Sequence, residues 1–176
     1  MAHDINTTLR EALFMYCERV SIHKKGHAQE KYRINLYCRY SIADLPIRDI
    51  TSVDVATFRD ERLAEINART GRPLSPATVR LDLALLSDLF RIGKNEWGIC
   101  NDNPVANVRK PRLPPGRDRR LAPREERMIM THCAKQGAQE MTAIVQLALE
   151  TSMRQGEILG LCWEHINLKS RIVHLP

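Results

Sequence analysis

Apolar residues in the first hundred positions recur at steps of three and four, the spacing of one face of a helix. Thr7 or Thr8 is predicted to cap a first helix that runs to Val20. A polar joint at 21–26 leads to a second helix, which ends before Pro46 because proline disfavours helical backbone in the residue ahead of it. The second helix is expected to carry one apolar side: Tyr32, Leu36, Tyr37 and Tyr40.

The fourth predicted helix has the clearest pattern in the chain. Ser75 can cap it and Pro76 stands at its first helical position, where proline is favoured. Its apolar positions follow at steps of four, three and four: Val79, Leu83, Leu86 and Phe90. A third helix is predicted to start at Thr51 or Ser52, and the turn-rich segment 68–76 is predicted as a loop. Residues 1–100 are therefore expected to form a small all-helical domain.

The pattern changes after residue 100. Residues 101–121 contain four prolines and no strong apolar period, as expected of an interdomain linker. Residues 122–176 then predict two helices, a short third helix over 153–166, and a strand over the alternating segment 170–176. Because no earlier segment suggests a strand partner, we expect that partner to lie beyond the C-terminal side.

Positive charge is concentrated in two places. The chain carries a formal net charge of +6, and the segment 105–122 holds six basic residues against Asp118. A second cluster lies between Val20 and Tyr40. A local basic excess suits a polyanion, either nucleic acid or an anionic membrane surface. No apolar run approaches membrane-spanning length, so the sequence favours nucleic acid and no membrane partner.

Cysteine and histidine positions argue against a metal site. The five cysteines have no metal-ligand spacing, and the six histidines are scattered. We expect reduced, mostly buried thiols in a cytoplasmic protein.

Arg154 and Glu157 stand at the start of the short third helix of the C-terminal part. An arginine beside the free N–H groups of a helix start can hold a phosphate. An ordinary Arg–Glu surface pair is the commoner explanation for this spacing alone.

The segment from 147 to 176, LALETSMRQGEILGLCWEHINLKSRIVHLP, resembles the start of the catalytic domain of tyrosine recombinases, the phage integrase family. That family typically shows Thr-Gly-x-Arg, then x-Glu-Ile/Leu-x-x-Leu, then Trp-x-Asp-Ile. Arg154 and Glu157 match the pattern. Ser152 replaces the usual glycine and His165 the usual aspartate; neither position supplies the catalytic group.

The front of the chain resembles the same family. The four-helix pattern, the segment SPATVRLDLALLSDLFRIGKNEWG and the following Asn-Pro are similar to its core-binding domain, and the linker RKPRLPPGRDRRL resembles shufflon-specific recombinases. The resemblance implies a mainly α chain. It would comprise a four-helix SAM-like core-binding domain, a basic linker, and the helical N-terminal part of a mixed α+β catalytic domain ending at its first strand.

The family's chemistry sets further expectations. A tyrosine attacks a DNA phosphodiester and holds the strand as a 3′-phosphotyrosyl ester, without metal, ATP or another cofactor. Arg154 would be the first of two arginines that stabilise the phosphoryl charge, and Glu157 would orient it. The family's His-x-x-Arg, lysine and nucleophilic tyrosine are not found in this sequence. We therefore expect that the chain alone does not cleave DNA strands. Whether the chain is an enzyme is not decided by the sequence.

The implied partner is double-stranded DNA at an inverted-repeat recombination site, with self-association on DNA, in the nucleoid of a bacterial cytoplasm. For Arg91 and Lys94 a solvated surface charge explains the sequence equally well. The basic residues expected to contact phosphates are Lys24, Lys25, Arg80, Arg91, Lys94, Arg109, Lys110, Arg112, Arg117, Arg119 and Arg120.

Two other functions fit the sequence. The chain could be a non-catalytic DNA-binding fragment that occupies or regulates recombination sites, or an all-helical scaffold with incidental charge. The apolar helix at 142–149 predicts marginal stability after the linker, with exposed apolar surface that would favour aggregation or self-association.

Overall fold

The computed structural model describes residues 6–116, 118–135 and 137–175, which form two compact units. Unit 1 is Met1–Pro115 and unit 2 is Gly116–Pro176. The chain is mainly helical, as the sequence predicts. The division between the units falls inside the segment 101–121, and the linker limits themselves stay a prediction.

Unit 1 contains four α-helices whose starts follow the predicted caps. The helices are α1 (Leu9–Arg19), α2 (His27–Tyr37), α3 (Ser52–Ala64) and α4 (Pro76–Ile92). The side chains of Thr8, Thr51 and Ser75 each accept a hydrogen bond from a backbone N–H of the first turn. Helix α2 is shorter than expected, and 3₁₀ turns at Ser41–Asp44 and Ile47–Asp49 fill the gap before α3.

A small hairpin replaces part of the loop predicted over 68–76. Strand β1 (Ile66–Asn67) pairs antiparallel with β2 (Arg72–Pro73). The side chain of Asn67 accepts hydrogen bonds from the N–H groups of Arg69 and Thr70, and Gly71 takes a φ of +62° that suits glycine. The local turn chemistry thus closes a hairpin that the apolar pattern did not indicate.

The core of unit 1 forms where the apolar faces of the four helices meet. The stripe on α4 predicted from its spacing is fully buried, and Tyr37 stacks on Phe58 with ring centroids 4.9 Å apart. The core extends past residue 100, because Val105 and Val108 are buried against the helices beside the 3₁₀ turn Pro104–Asn107. The first residues of the predicted linker therefore pack with unit 1.

Two features of this core differ from the sequence expectation. Tyr32 is 69% exposed and does not share the buried side of α2; Ile34 takes that place. Arg62 on α3 is buried and donates two hydrogen bonds to Asp82, which is fully buried on α4 and also pairs with Arg33. The burial of Arg62 and Asp82 was not predicted, because the prediction of the core used only the spacing of apolar residues.

Unit 2 is built from shorter elements. They are α5 (Pro123–Lys135), α6 (Gln139–Thr151), α7 (Gln155–Leu159), a 3₁₀ turn at Trp163–His165, β3 (Ile166–Asn167) and β4 (Ile172–Val173). The expectation that the last strand lacks a preceding partner is wrong, because Ile166 pairs with Val173 in an antiparallel hairpin. The side-chain oxygen of Asn167 accepts a hydrogen bond from the N–H of Ser170, just as that of Asn67 accepts one from the N–H of Thr70 in the first hairpin.

Burial differs sharply between the units. Of the part of unit 2 that the structure describes, Ile158 alone is buried. The prediction of mostly buried thiols is wrong: Cys100 is buried, Cys162 is exposed, and the other three are intermediate. The described helices include none that is both long enough and apolar enough to span a membrane.

Candidate nucleic-acid interface and recombinase motif

Arg154 and Glu157 form a local unit at the start of α7. One carboxylate oxygen of Glu157 accepts the backbone N–H of Arg154 at 2.8 Å, and the other accepts Nη1 of its guanidinium at 2.9 Å. These hydrogen bonds lower the pKa of Glu157, first through the backbone N–H and then through the side chain. The Arg154 side chain is 87% exposed, so most of its five N–H donors face solvent.

The residue two positions before Arg154 adopts a strained backbone. Ser152 directly follows the last residue of α6 and has a φ of +56°, in the left-handed region. A glycine adopts this conformation freely, whereas a residue with a Cβ loses about 1–2 kcal/mol there. The glycine usual in the family pattern therefore has a physical reason, and its replacement by Ser152 has a conformational cost.

The basic segment that follows the core of unit 1 lies against α3 and α4. We call residues 109–113 the strap. The guanidinium of Arg59 donates to the carbonyl oxygen of Arg109 at 2.9 Å, and that of Arg80 donates to the carbonyl of Pro111 at 3.5 Å. The strap's three cationic side chains are exposed and make no ion pair within the described residues: Arg109, Lys110 and Arg112.

A groove of about 640 Å³ runs between the strap and the outer face of α4. Leu81, Ala84 and Leu113 give it an apolar floor and wall. Its cations are Arg80, Arg91 and Lys110, of which Arg91 is paired with Asp88 at 2.6 Å. The arrangement can accept a ligand that offers both anionic and apolar groups.

Leu81 is a groove residue that the sequence reasoning missed. It is 56% exposed and lies opposite the buried stripe of α4. A large apolar residue on the polar face of a helix is the signal that could have marked it, although single exposed leucines are common.

Lys24 and Lys25 adjoin each other, but their surroundings differ. Lys24 forms ion pairs with Glu30 and Asp88, each at 3.1 Å. Partial burial opposes its charge, yet hydrogen bonds to Tyr16, Glu30 and Asp88 prevail and raise the pKa of Lys24. Lys25 is exposed and free of ion pairs among the described residues.

The remaining predicted contacts are dispersed. Lys94 pairs with Asp102 at 3.0 Å, Arg119 pairs with Glu125, and Arg120 is exposed. Arg117 lies outside the described residues. The structure thus groups Arg80, Arg91 and the strap around one groove, and it gives several of the other cations acidic partners.

The tyrosines of the chain lie in unit 1. Tyr16 and Tyr37 are fully buried, and Tyr40 donates to Glu65. Tyr32 stands exposed on α2. Across the described ranges, no group of three or more His, Cys, Asp or Glu side chains is placed to hold a metal ion.

The chain is similar to known proteins in both sequence and fold. The chain is 54% identical over 169 residues to a shufflon-specific DNA recombinase of Escherichia coli, covering 96% of the chain and 44% of that protein. It is 32% identical over 178 residues to a putative integrase/recombinase of Haemophilus influenzae, covering 96% of the chain and 46% of that protein. The chain spans less than half the length of these relatives. No family model matches it.

A solved structure with a similar fold is the Tn1549 transposon integrase in complex with circular intermediate DNA. The TM-score is 0.72 at 16% identity, over 97% of this chain and 54% of that one. This likeness concerns the fold, and the sequence similarity to recombinases supplies the relationship. With the motif around Arg154, these findings place the chain in the tyrosine recombinase, or phage integrase, family.

Proposed function

We propose that this chain is the DNA-gripping part of a site-specific tyrosine recombinase, with unit 1 holding duplex DNA along α4 and the strap. In the full-length enzyme, strand exchange would proceed through a 3′-phosphotyrosine. The observation that carries the proposal is the groove on α4, where the cations Arg80, Arg91 and Lys110 lie beside an apolar floor. Phosphates suit the cations, and base edges or thymine methyl groups suit the apolar floor.

Charge supports the same assignment. The three strap cations form no ion pair at contact distance in the described structure, so none must break when they meet phosphate. Each phosphate contact releases counterions, and the affinity should therefore fall steeply with salt. The sequence similarity to a shufflon-specific DNA recombinase points to the same class of partner.

Arg154 is proposed to bind the phosphate at which the strand is cut. Its guanidinium is exposed and oriented by Glu157, so it can donate to phosphoryl oxygens without first losing a buried partner. A fixed cation stabilises the charge that develops on those oxygens in the transition state. Catalytic groups of this kind act as a unit, so a single arginine supplies little rate enhancement by itself.

The test is an electrophoretic shift of an inverted-repeat duplex across a salt series. The chain should retard the duplex at low salt, and the retardation should weaken steeply as salt rises. Arg154→Ala should change binding little, because one contact is lost among many. A chain that fails to bind duplex DNA at low salt would overturn the proposal.

A further inference from the structure

We propose that Arg59 is a positioning residue for DNA binding: it holds the strap in place without touching the DNA. Its hold on the strap can be tested without DNA, whereas its effect on DNA affinity rests on the proposed function. Arg59 is absent from the predicted DNA contacts and from the lining of the groove.

The hydrogen bonds of Arg59 to Asp60 and to the carbonyl oxygen of Arg109 attach the strap to α3, and we call this arrangement the bracket. Its Nε and Nη2 atoms each donate to one carboxylate oxygen of Asp60 at 2.8 Å, which sets the plane of the guanidinium. The remaining fork atom, Nη1, donates to the carbonyl oxygen of Arg109 at 2.9 Å. The Arg59 side chain is only 16% exposed, so it has little surface left for a phosphate.

The strap has few other means of attachment. Within the described structure, residues 109–115 make no backbone–backbone hydrogen bond. Pro111, Pro114 and Pro115 have no N–H to donate. The hydrogen bonds that reach this segment come from Arg59 and, at a longer distance, from Arg80.

Fixing the strap has a consequence for the groove. Lys110 and Leu113, both on the strap, form one of its walls, and Val108 anchors the preceding turn in the core. A segment that is already ordered loses less conformational entropy when it meets a ligand. Arg59 therefore prepares both the cations and the groove wall before DNA arrives.

Limited trypsin digestion of the whole chain tests the bracket. In the wild type, cleavage after Arg109 and Arg112 should be slower than cleavage after Arg120, since a held backbone cannot enter a protease site. In Arg59→Ala, cleavage after Arg109 and Arg112 should accelerate about tenfold, an opening equivalent to the loss of one or two side-chain hydrogen bonds. Arg48→Ala is the matched control, because Arg48 is an exposed cation of unit 1 without an ion pair among the described residues.

Three digestion results would overturn the bracket. They are wild-type cleavage after Arg109 as fast as after Arg120, unchanged cleavage in a folded Arg59→Ala chain, and equal acceleration in Arg48→Ala. Circular dichroism checks the fold of each variant. If Arg59→Ala does not fold, Arg59→Lys and Arg80→Ala replace it, and each should accelerate the same two cleavages to a smaller extent.

DNA binding separates positioning from direct contact. Arg59→Lys keeps the charge but cannot hold both Asp60 and the strap, so it should weaken duplex binding about as much as Arg59→Ala, roughly tenfold. Arg48→Ala should stay within about twofold of the wild type. Wild-type affinity in Arg59→Lys would mean that only the charge matters and would reject the positioning role. If the wild type fails to bind DNA, the proposed function fails while the digestion result still decides the bracket.

Discussion

Unit 1 and unit 2 are both built from amphipathic helices, but they differ in what their apolar faces contact. In unit 1 the faces of four helices meet, and residues such as Leu13, Leu86 and Phe90 are fully buried. In unit 2, Met128 is 62% exposed and Trp163 is 80% exposed. Helical spacing in the sequence thus determines where helices form, whereas burial depends on which other faces are present.

The charged residues of the two units differ in the same way. Asp82 in unit 1 is enclosed and joins α2, α3 and α4 through its pairs with Arg33 and Arg62. The Arg154–Glu157 pair of unit 2 is local and open to solvent. A buried arginine such as Arg62 is committed to its carboxylate partners, because an unpaired buried charge is costly, whereas an exposed and oriented arginine remains available to a ligand.

Removing the buried carboxylate should have the largest effect. Asp82→Ala removes the buried carboxylate that pairs with both Arg33 and Arg62, while Arg62 keeps its ion pair with Glu65, and it should lower the free energy of unfolding of unit 1 by about 3 kcal/mol. Trp97, which packs on the core of unit 1, reports the loss by fluorescence in a Trp163→Phe background. Asp44→Ala, which breaks a pair at a 68% exposed carboxylate, should cost at most about 1 kcal/mol. Equal costs would show that the network is not enclosed in solution.

Leucine truncation compares the units directly. Leu86→Ala should destabilise unit 1 by about 2–5 kcal/mol, because it leaves a cavity in a closed core. Leu147→Ala on α6 removes a side chain that is 41% exposed and should cost under about 1 kcal/mol in unit 2. Chemical denaturation gives both values when it is followed at Trp97 in a Trp163→Phe background for the first variant and at Trp163 in a Trp97→Phe background for the second. A large loss for Leu147→Ala would mean that α6 is covered in solution.

Alkaline pH should destabilise unit 1 through Tyr16, whose side chain is buried in its core. Burial raises the pKa of Tyr16 to about 12, so its folded form favours the protonated hydroxyl. The stability that Tyr16 contributes is complete below pH 10 and is lost as the pH rises from 10 to about 12. Tyr16→Phe should therefore show a smaller loss over this interval in unfolding experiments at several pH values. An identical alkaline loss in both proteins would assign the effect to other groups, such as Tyr37.

Relief of backbone strain should give the smallest change and a positive one. Ser152→Gly should stabilise unit 2 by about 0.5–1 kcal/mol, because glycine adopts the left-handed φ without a Cβ clash. The larger entropy of glycine in the unfolded chain offsets part of this gain. Arg171→Gly, at a φ of +58°, should change stability in the same direction. Ser170→Gly is the control in the same turn, where glycine offers no such relief and should bring no gain.

The sequence predicted the parts of this structure that depend on local rules. The caps at Thr8, Thr51 and Ser75, and the buried stripe of α4, follow from spacing and short-range hydrogen bonding. The hairpins were missed because β1, β2 and β3 have only two residues each, too few to show an alternating pattern, whereas the segment of β4 showed one. The β3 partner of the last strand was missed for this reason.

The candidate site also has one part that is local in sequence and one part that forms only in the folded chain. The motif around Arg154 could be recognised in the sequence because all its parts lie within a few residues. The groove on α4 could not, since Arg80 and Leu113 meet only after the strap folds back. The Arg62–Asp82 pair also joins residues that are twenty positions apart and carry no apolar signal.

We propose that unit 1 supplies most of the affinity for DNA through the strap. Two charge-matched triple variants of the whole chain test it by the slope of log Kd against log salt concentration. Replacing Arg109, Lys110 and Arg112 by Gln should reduce the slope by about two to three, near 0.9 for each lost phosphate contact. Replacing the exposed Arg124, Arg127 and Lys135 of α5 by Gln should leave the slope nearly unchanged. Equal slopes in the two variants, or a larger loss in the α5 variant, would contradict the account.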